Sequence, residues 1–340
     1  MDREFVFSVI IPVYKVEEYL PETMDSVIRQ SIGFEENIQV ILVNDGSPDN
    51  SGELCRGYQE KYPENVVYVE KENGGVSSAR NEGIKYIRGK YVNFLDSDDC
   101  WDEDAFERIR DFFDMHYDET DVVAARKEFF DARTGYHHLD YRFERTVLAD
   151  LREYTDFIQL DVTGAFIRAD AIGEHRFMSR LKYGEDARFI NEIILEKRTL
   201  GVCREALHFY RKRKDDSSAL QNELRSRSYY FDSPKYFLSA LLDMSEARYG
   251  KPDKYIQNTV MYDLCWRIRK KGIREYLGKD DYEKYCSVIT ELLCRIDDDV
   301  IRSQRRLSKK LKLFCILKKH RFGGAASAVL KIGKVDSIYG

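Results

Sequence analysis

The sequence predicts a doubly wound α/β fold with a mainly parallel sheet, followed by a C-terminal helical appendage. Three observations predict it. Short β-branched and aromatic runs alternate four times with stretches of helical periodicity over residues 5–101. The runs lead into turns rich in Pro, Asp, Asn, Gly or Ser, and such alternation builds parallel βαβ crossovers. From about residue 225 glycine becomes sparse and helix-forming residues take over.

Residues 5–12, FVFSVIIP, read as a first strand that stops at Pro12. A helix over 16–30 follows, with Tyr19, Leu20, Met24, Val27 and Ile28 at helical spacing. Residues 39–43 form a second strand that runs directly into Asn44-Asp45-Gly46-Ser47. A helix over 51–62 and a third strand over 66–69 come next. The loop Asn73-Gly74-Gly75 then opens a helix over 76–87. The fourth strand, 91–95, is a short apolar run ending in Asp96, Asp98 and Asp99. The middle of the chain is less regular. It reads as a helix over 102–116, a strand over 121–125 and a strand–turn–strand over 129–145 centred on Thr134-Gly135. A helix over 187–197 is opened by Glu185-Asp186.

Parallel crossovers place the carboxyl ends of the four strands along one edge, where open α/β sheets bind their ligands. That edge gathers Pro12-Val13-Tyr14, Asp45-Gly46-Ser47, Asn73-Gly74-Gly75 and Asp96-Ser97-Asp98, and such a gathering describes a nucleotide site. Tyr14 offers a ring to stack on a base, and Asp45 a carboxylate to accept from a base edge such as uracil N3–H. Gly74 and Gly75 let the backbone approach a ligand closely, and Arg80 stands one turn into the next helix. Each has a plainer alternative: a surface aromatic, a turn residue, a weak surface ion pair. The carboxylates at 96–99 repel one another and call for a cation, which Mg²⁺ or Mn²⁺ bound to phosphate would supply. The alternative is a solvated acidic loop that caps the following helix. No GxGxxG follows the first strand and no GxxxxGK[ST] occurs, so dinucleotide and P-loop readings fail.

Composition narrows the class further. A chain of 340 residues can hold one large domain and an appended one. Apolar content of 43% with 13% aromatic supports a packed core and excludes wholesale disorder. A net charge of −5 is small for this size, so no nucleic-acid partner is expected. The seven cysteines form no CxxC pair, which indicates neither a zinc site nor a disulfide framework and suits a reducing cytoplasm. The first apolar run, flanked by acids, is no signal peptide, and no stretch approaches a membrane span. The expected location is cytoplasmic.

Four motifs in order, PVY at 12–14, VNDGS at 43–47, NGGVSSARN at 73–81 and FLDSDD at 94–99, resemble family 2 glycosyltransferases. The resemblance runs over about 5–101. Those enzymes have the GT-A fold, a Rossmann-like doubly wound sheet, and invert the anomeric centre. The chain is similar to bacterial members that decorate capsule, lipopolysaccharide or teichoic acid polymers. The resemblance implies hexosyl or N-acetylhexosaminyl transfer from a nucleotide-sugar, most simply a UDP-sugar, to a cell-surface polysaccharide or lipid-linked acceptor. It implies base contact by Asp45, ribose or base contact by Asp96, and metal ligation by Asp98 of the DxD motif, with Mn²⁺ or Mg²⁺ as the cofactor. Arg80 would join Pro12, Tyr14 and Ser97 in the nucleotide pocket.

The resemblance also reaches later segments. Residues 162–167 are similar to the segment beneath the acceptor side. Family members carry an acidic pair whose Asp is the general base, which implies that role for Asp186, with Glu185 orienting acceptor or donor sugar. Read on spacing alone, the same acids cap a helix. Residues 207–218 resemble a YRxR…S segment in which Arg211, Arg213 and Ser217 would close over the diphosphate, as guanidinium forks suit phosphate; a solvated basic loop is the other reading. His208 reads as a strand residue ahead of a metal ligand, and Asp99 as a supporting acid. An inverting transfer is one in-line displacement with oxocarbenium character, so it needs one base and something to absorb charge on the leaving diphosphate. A non-catalytic nucleotide-sugar binding subunit of a polysaccharide assembly complex is the rival, and the retained Asp98 and Asp186 favour the enzyme. A nucleotidyltransferase is disfavoured, because its glycine-rich basic loop after the first strand is missing.

The expected domains are a catalytic one over 1–220, with a nucleotide half at 1–101 and an acceptor half at 102–220, and a helical region over 221–340. The latter reads as helices over 228–249, 254–271, 281–295 and 300–319, with breakers at Pro234, Gly250 and Pro252. Residues 302–334 carry eleven Lys or Arg and no Asp or Glu, interrupted by Leu311, Leu313, Phe314, Ile316 and Leu317. Such a stretch can rest on anionic lipid at the inner membrane face, or pack on its own domain or another subunit.

Overall fold

The architecture was described from a computed structural model, which covers residues 4–213 and 226–322. β1 (Phe5–Val13) lies inside the sheet, and its Phe7, Val9, Ile10, Ile11 and Val13 side chains are all buried. Burial on both faces is what a parallel strand covered by helices requires. β2 (Ile38–Asn44) runs parallel to it with Val9 opposite Val40. β3 (Val66–Glu70) extends that side, also parallel. β4 (Gly89–Phe94) flanks the other side in parallel, with Phe7 opposite Tyr91. Past β4 the sheet adds Ala165–Arg168, Val122–Asp131, Thr199–Lys212 and Cys100–Trp101 in that order, so the parallel half expected from 5–101 continues into a mixed half.

Alternation along β1 assigns the layers. Phe7, Val9, Ile11 and Val13 join a core with α1 (Leu20–Ile28), α3 (Ser51–Lys61) and α5 (Ala105–His116) through Leu20, Met24, Cys55, Phe106 and Phe113. The intervening α2 (Phe34–Asn37) is one short turn. On the opposite face α4 (Val76–Ile84) lies so close that a Cβ on Gly83 would sit 2.5 Å from Ile10.

The mixed half is built from β5 (Cys100–Trp101), β6 (Val122–Asp131), β7 (Gly135–Tyr136), β8 (Val147–Asp150), β9 (Ala165–Arg168) and β10 (Thr199–Lys212), with α6 (Ala169–Ile172) and α7 (Glu185–Lys197) between β9 and β10. β9 is antiparallel to both β4 and β6, while β10 runs parallel to β6 with a register shift between Cys203 and Leu207. The expected return strand near 136–145 shrinks to Gly135–Tyr136, followed by a 3₁₀ turn at Asp140–Phe143. The reason is an ion-pair anchor: Arg126 grips Asp140 through Nε at 2.7 Å and Nη2 at 2.9 Å, which folds the chain over instead of extending it.

Two compact units emerge. The first comprises the described residues of 4–151, 159–180 and 185–213; the second comprises 152–158, 181–184 and 226–322. The boundary expected at 220/221 lies outside the described residues. The second unit contains α8 (Arg227–Ser233), a π-helical turn at Pro234–Ser239, α9 (Ala240–Tyr249), α10 (Lys254–Arg269), α11 (Ile273–Leu277), α12 (Lys279–Cys294), α13 (Asp298–Ser303) and α14 (Lys309–Phe322). The helix expected over 228–249 is therefore interrupted, at the proline that lacks an N–H for the ladder. The one expected over 300–319 is split after Ser303, where Gln304 turns its amide to Asn258 Oδ1 at 3.0 Å. Fully buried Arg267 organises this unit. It pairs with Asp263 and donates to the Tyr229 carbonyl at 2.5 Å and to Ser233 Oγ at 2.8 Å. Among the described residues no helix is long and apolar enough to cross a membrane.

Candidate active site

The first loop of the mouth is shaped by Lys15, a non-glycine residue at φ +55°. That conformation is uncommon, and it is held by hydrogen bonds from the next strand's loop. The Lys15 N–H donates to Ser47 Oγ at 2.8 Å and the Val16 N–H to Ser51 Oγ at 3.1 Å. The Ser47 N–H in turn donates to Asn44 Oδ1 at 2.9 Å. The chain turns there and leaves Tyr14 44% exposed at the rim.

Asp45, buried to 3% exposure, builds the glycine loop. Its Oδ1 accepts the Gly74 N–H at 2.9 Å and Lys71 Nζ at 2.6 Å, and its Oδ2 accepts the Gly75 N–H at 2.7 Å. Gly75 sits at φ +84°, where a side chain would be strained, and α4 starts directly after it. A carboxylate has roughly four acceptor sites, so Asp45 keeps capacity toward the cleft after ordering the loop. Lys71, its charge partner, was not singled out from the sequence; its place just ahead of Asn73-Gly74-Gly75 is the available signal.

Pro12, Tyr14, Asp45, Asp96, Ser97, Asp98 and Arg213 line one cleft, completed by Asn73, Gly75, Val76 and Ala79. The four loops thus meet at the sheet's carboxyl edge. Arg80, 2% exposed, lies behind them on α4. Its Nη2 donates to Asp96 Oδ1 at 2.9 Å, its Nη1 donates to Asp186 Oδ1, and Glu185 Oε1 is 3.9 Å away. One guanidinium therefore links the cleft to a residue 106 positions on, at the start of α7. Burial pushes the Asp186 carboxyl up to about 8, Arg80 pulling against it and Glu185 adding repulsion.

The strand-end acids are differentiated by their surroundings. Arg213 donates to Asp98 Oδ2 through Nε at 2.8 Å, with Nη2 at 2.6 Å. Burial pushes Asp98 up to about 6, with Asp99 and Asp96 adding to it and Arg213 opposing. Asp99 points inward. Its Oδ1 accepts the Arg211 N–H at 2.9 Å and its Oδ2 faces His208 Nε2 at 3.3 Å. Burial drives His208 down to about 3 and Asp99 up. His208 also packs on Trp101 at 4.7 Å, inside the sheet. Arg211 is pinned beside the cleft rather than in it, by the Asp98 carbonyl at 2.8 Å, Glu22, and Asp131 at 3.4 Å. Ser217 lies outside the described residues.

A divalent cation fits this donor set in one way. Among the described residues no group of three or more His, Cys, Asp or Glu side chains could hold a metal by itself. Asp98 alone, with phosphate oxygens and waters, matches how Mg²⁺ is held through one or two carboxylates plus substrate phosphate. The upward push on Asp98 comes first from burial, with repulsion from Asp99 and Asp96 behind it.

A doubly wound sheet with an acidic, glycine-framed cleft at its carboxyl edge defines a GT-A-like protein. Residues 8–180 match Glycosyl transferase family 2, and the chain belongs to that family. It is 43% identical over 303 residues to the minor teichoic acid biosynthesis protein GgaB of Bacillus subtilis (strain 168), covering 89% of this chain and 34% of GgaB. To GgaA of the same strain, also named for minor teichoic acid biosynthesis, it is 33% identical over 308 residues, 88% of this chain and 68% of GgaA. The chain thus spans about a third of the length of GgaB and about two thirds of GgaA. The fold is similar to that of S. aureus TarS 1-349 in complex with UDP-GlcNAc, with a TM-score of 0.68 at 19% identity, covering 92% of this chain and 88% of that one.

Proposed function

We propose that the chain transfers a hexosyl or N-acetylhexosaminyl group from a UDP-sugar to a teichoic-acid acceptor, with inversion, at the cytoplasmic face of the membrane. The observation that carries this reading is the Arg80 bridge, which joins the nucleotide cleft at Asp96 to a carboxylate with a raised pKa at Asp186. A base whose pKa lies near the working pH is suited to take a proton from a hydroxyl. The likeness to GgaB and GgaA, and the UDP-GlcNAc held by TarS, support the acceptor class and the donor.

In this reading the uridine lies between Tyr14 and Asp45, with the ribose by Asp96. The acceptor hydroxyl attacks the anomeric carbon from the face opposite the diphosphate. Its proton passes to Asp186, the bond from the anomeric carbon to the diphosphate oxygen breaks, and UDP leaves. Glu185 orients the acceptor or sugar, and Arg213 turns from Asp98 to the phosphates. Asp98 is the residue that would hold Mn²⁺ or Mg²⁺, which when bound supplies positive charge to the departing diphosphate.

The test is a panel of UDP-sugars offered to the purified chain, with UDP binding by calorimetry and UDP release measured side by side, with and without Mn²⁺. Binding together with slow metal-dependent release is expected. Binding with no release under any condition, with acceptor present, favours a non-catalytic nucleotide-sugar binding subunit, and no UDP binding overturns both readings.

A membrane contact is proposed for α14. Cys315 and Ile316 are buried while Leu313 and Leu317 are 56% and 48% exposed, beside Lys309, Lys310 and Lys312. Mixed apolar and basic exposure of this kind suits an anionic lipid surface. Sedimentation with anionic vesicles should weaken at high salt; sedimentation indifferent to lipid charge removes this proposal.

A further inference from the structure

The carboxyl ends of β6 and β10 carry a second polar feature that the transfer chemistry leaves unused. The two strands are parallel and in register there, with Lys127 opposite His208, Phe129 opposite Tyr210 and Asp131 opposite Lys212. Residues that pair across parallel strands share a face, so Lys127, Phe129, Tyr210 and Lys212 belong to one surface. The Phe129 and Tyr210 rings meet at 6.0 Å and 65°. Three cations border them. Lys212 Nζ lies 4.2 Å from the Tyr210 ring centroid and 5.2 Å from that of Phe129. Lys127 Nζ is 4.8 Å from Tyr210, and the Arg133 guanidinium is 4.6 Å from Phe129.

Only one of these cations is paired. Lys127 pairs with Asp161 at 2.9 Å. Among the described residues, neither Lys212 nor Arg133 has an ion pair or side-chain hydrogen bond. Burial, with repulsion from Lys127 and then Arg133, holds the Lys212 ammonium below the ordinary lysine value, although Asp99 and Asp98 pull the other way. Cations crowded on a partly buried aromatic surface are satisfied by an anion, and phosphate offers several oxygens to an ammonium and a guanidinium at once. None of the three cations lines the nucleotide cleft, so the donor diphosphate is not the natural occupant. A teichoic acid carries phosphodiester groups along its chain, each with one negative charge, joined by carbon-bearing units that can rest on ring faces.

We propose that Lys212, Arg133 and Lys127, set around Phe129 and Tyr210, form an anion subsite that takes a phosphodiester group of the acceptor chain. The inference rests on the proposed acceptor class and adds where its charge is read. The full chain, saturated with UDP, is titrated at low salt with a synthetic glycerol-phosphate trimer and, separately, with glycerol. The wild type should bind the trimer and not glycerol, with affinity falling as salt rises. The double variant Lys212→Gln/Arg133→Gln should lose about tenfold or more of the trimer affinity, two charged contacts being removed, while its UDP affinity stays unchanged. Equal trimer binding by wild type and variant overturns the subsite, as does a wild type that ignores the trimer. A matching fall in UDP affinity assigns the anion to the donor diphosphate and overturns the acceptor role. Because UDP binding is read separately, failure of the subsite is distinguishable from failure of the nucleotide-sugar reading.

Discussion

Arg213 lies on Asp98, with its Nη2 at 2.6 Å and its Nε at 2.8 Å from the same carboxylate oxygen. The oxygen expected to hold a metal is thereby covered by a cation of the chain itself. A free metal ion must displace a guanidinium to reach it, whereas a nucleotide diphosphate gives that guanidinium somewhere else to go.

Replacing the guanidinium should therefore change metal binding in opposite senses with and without nucleotide. Arg213→Gln is expected to raise the affinity for Mn²⁺ alone by about three- to tenfold, because the pair is only partly exposed and its strength is moderate. The same variant should bind UDP with Mn²⁺ less well than the wild type. Electron paramagnetic resonance of free Mn²⁺ reads both. Unchanged Mn²⁺ affinity without nucleotide would show that Arg213 does not compete for the site.

The strand register makes a prediction about stability. Gly89 opens β4 opposite Phe5, and a Cβ there would lie 2.4 Å from Phe7 C and Ser8 N, both backbone atoms. Neither can move without breaking the pairing of β1 with β4. Gly89→Ala should cost about 1–3 kcal/mol, as overpacking of a tight core does, seen as a lower denaturant midpoint. An unchanged midpoint contradicts the described β1–β4 register.

Much of this architecture is legible in the sequence, for a physical reason. Up to Phe94 each strand is a continuous apolar run followed by its own turn chemistry, so local signals and tertiary roles agree. Beyond it they part. β9 is four residues inserted between two antiparallel neighbours, and nothing local announces such a pairing. The short β7 and the turn after it depend on Arg126 meeting Asp140. Within the site, the four loops could be placed together from topology alone. The Arg80–Asp186 contact spans 106 residues, and nothing local in the sequence joins the two side chains. The inward turn of Asp99 toward His208, and the grip of Asp45 on Lys71 and the Gly74–Gly75 backbone, are settled by packing.

The raised pKa of Asp186 has a consequence for rate. In the proposed mechanism the deprotonated carboxylate is the form that accepts the acceptor's proton, and in the free protein the Asp186 pKa is pushed up to about 8, mainly by burial. kcat/KM should therefore climb as pH rises through that value, whereas an ordinary aspartate near 3.8 would leave it flat over the same range. A pH profile of sugar transfer checks this. A flat profile between pH 6 and 9 would mean that another group is the base or that proton transfer does not limit the step.

The central claim is that Asp186 performs the proton transfer at a nucleotide-sugar site it does not itself build. Asp186→Asn keeps the shape of the side chain and an oxygen that Arg80 can still reach, while Asp96 and Glu185 remain to balance the guanidinium. The decisive measurement is turnover of this variant with UDP affinity determined on the same preparation. Turnover should fall by about 10²-fold or more, with UDP binding close to that of the wild type. Near-normal turnover, or lost UDP binding with turnover preserved, would contradict the account.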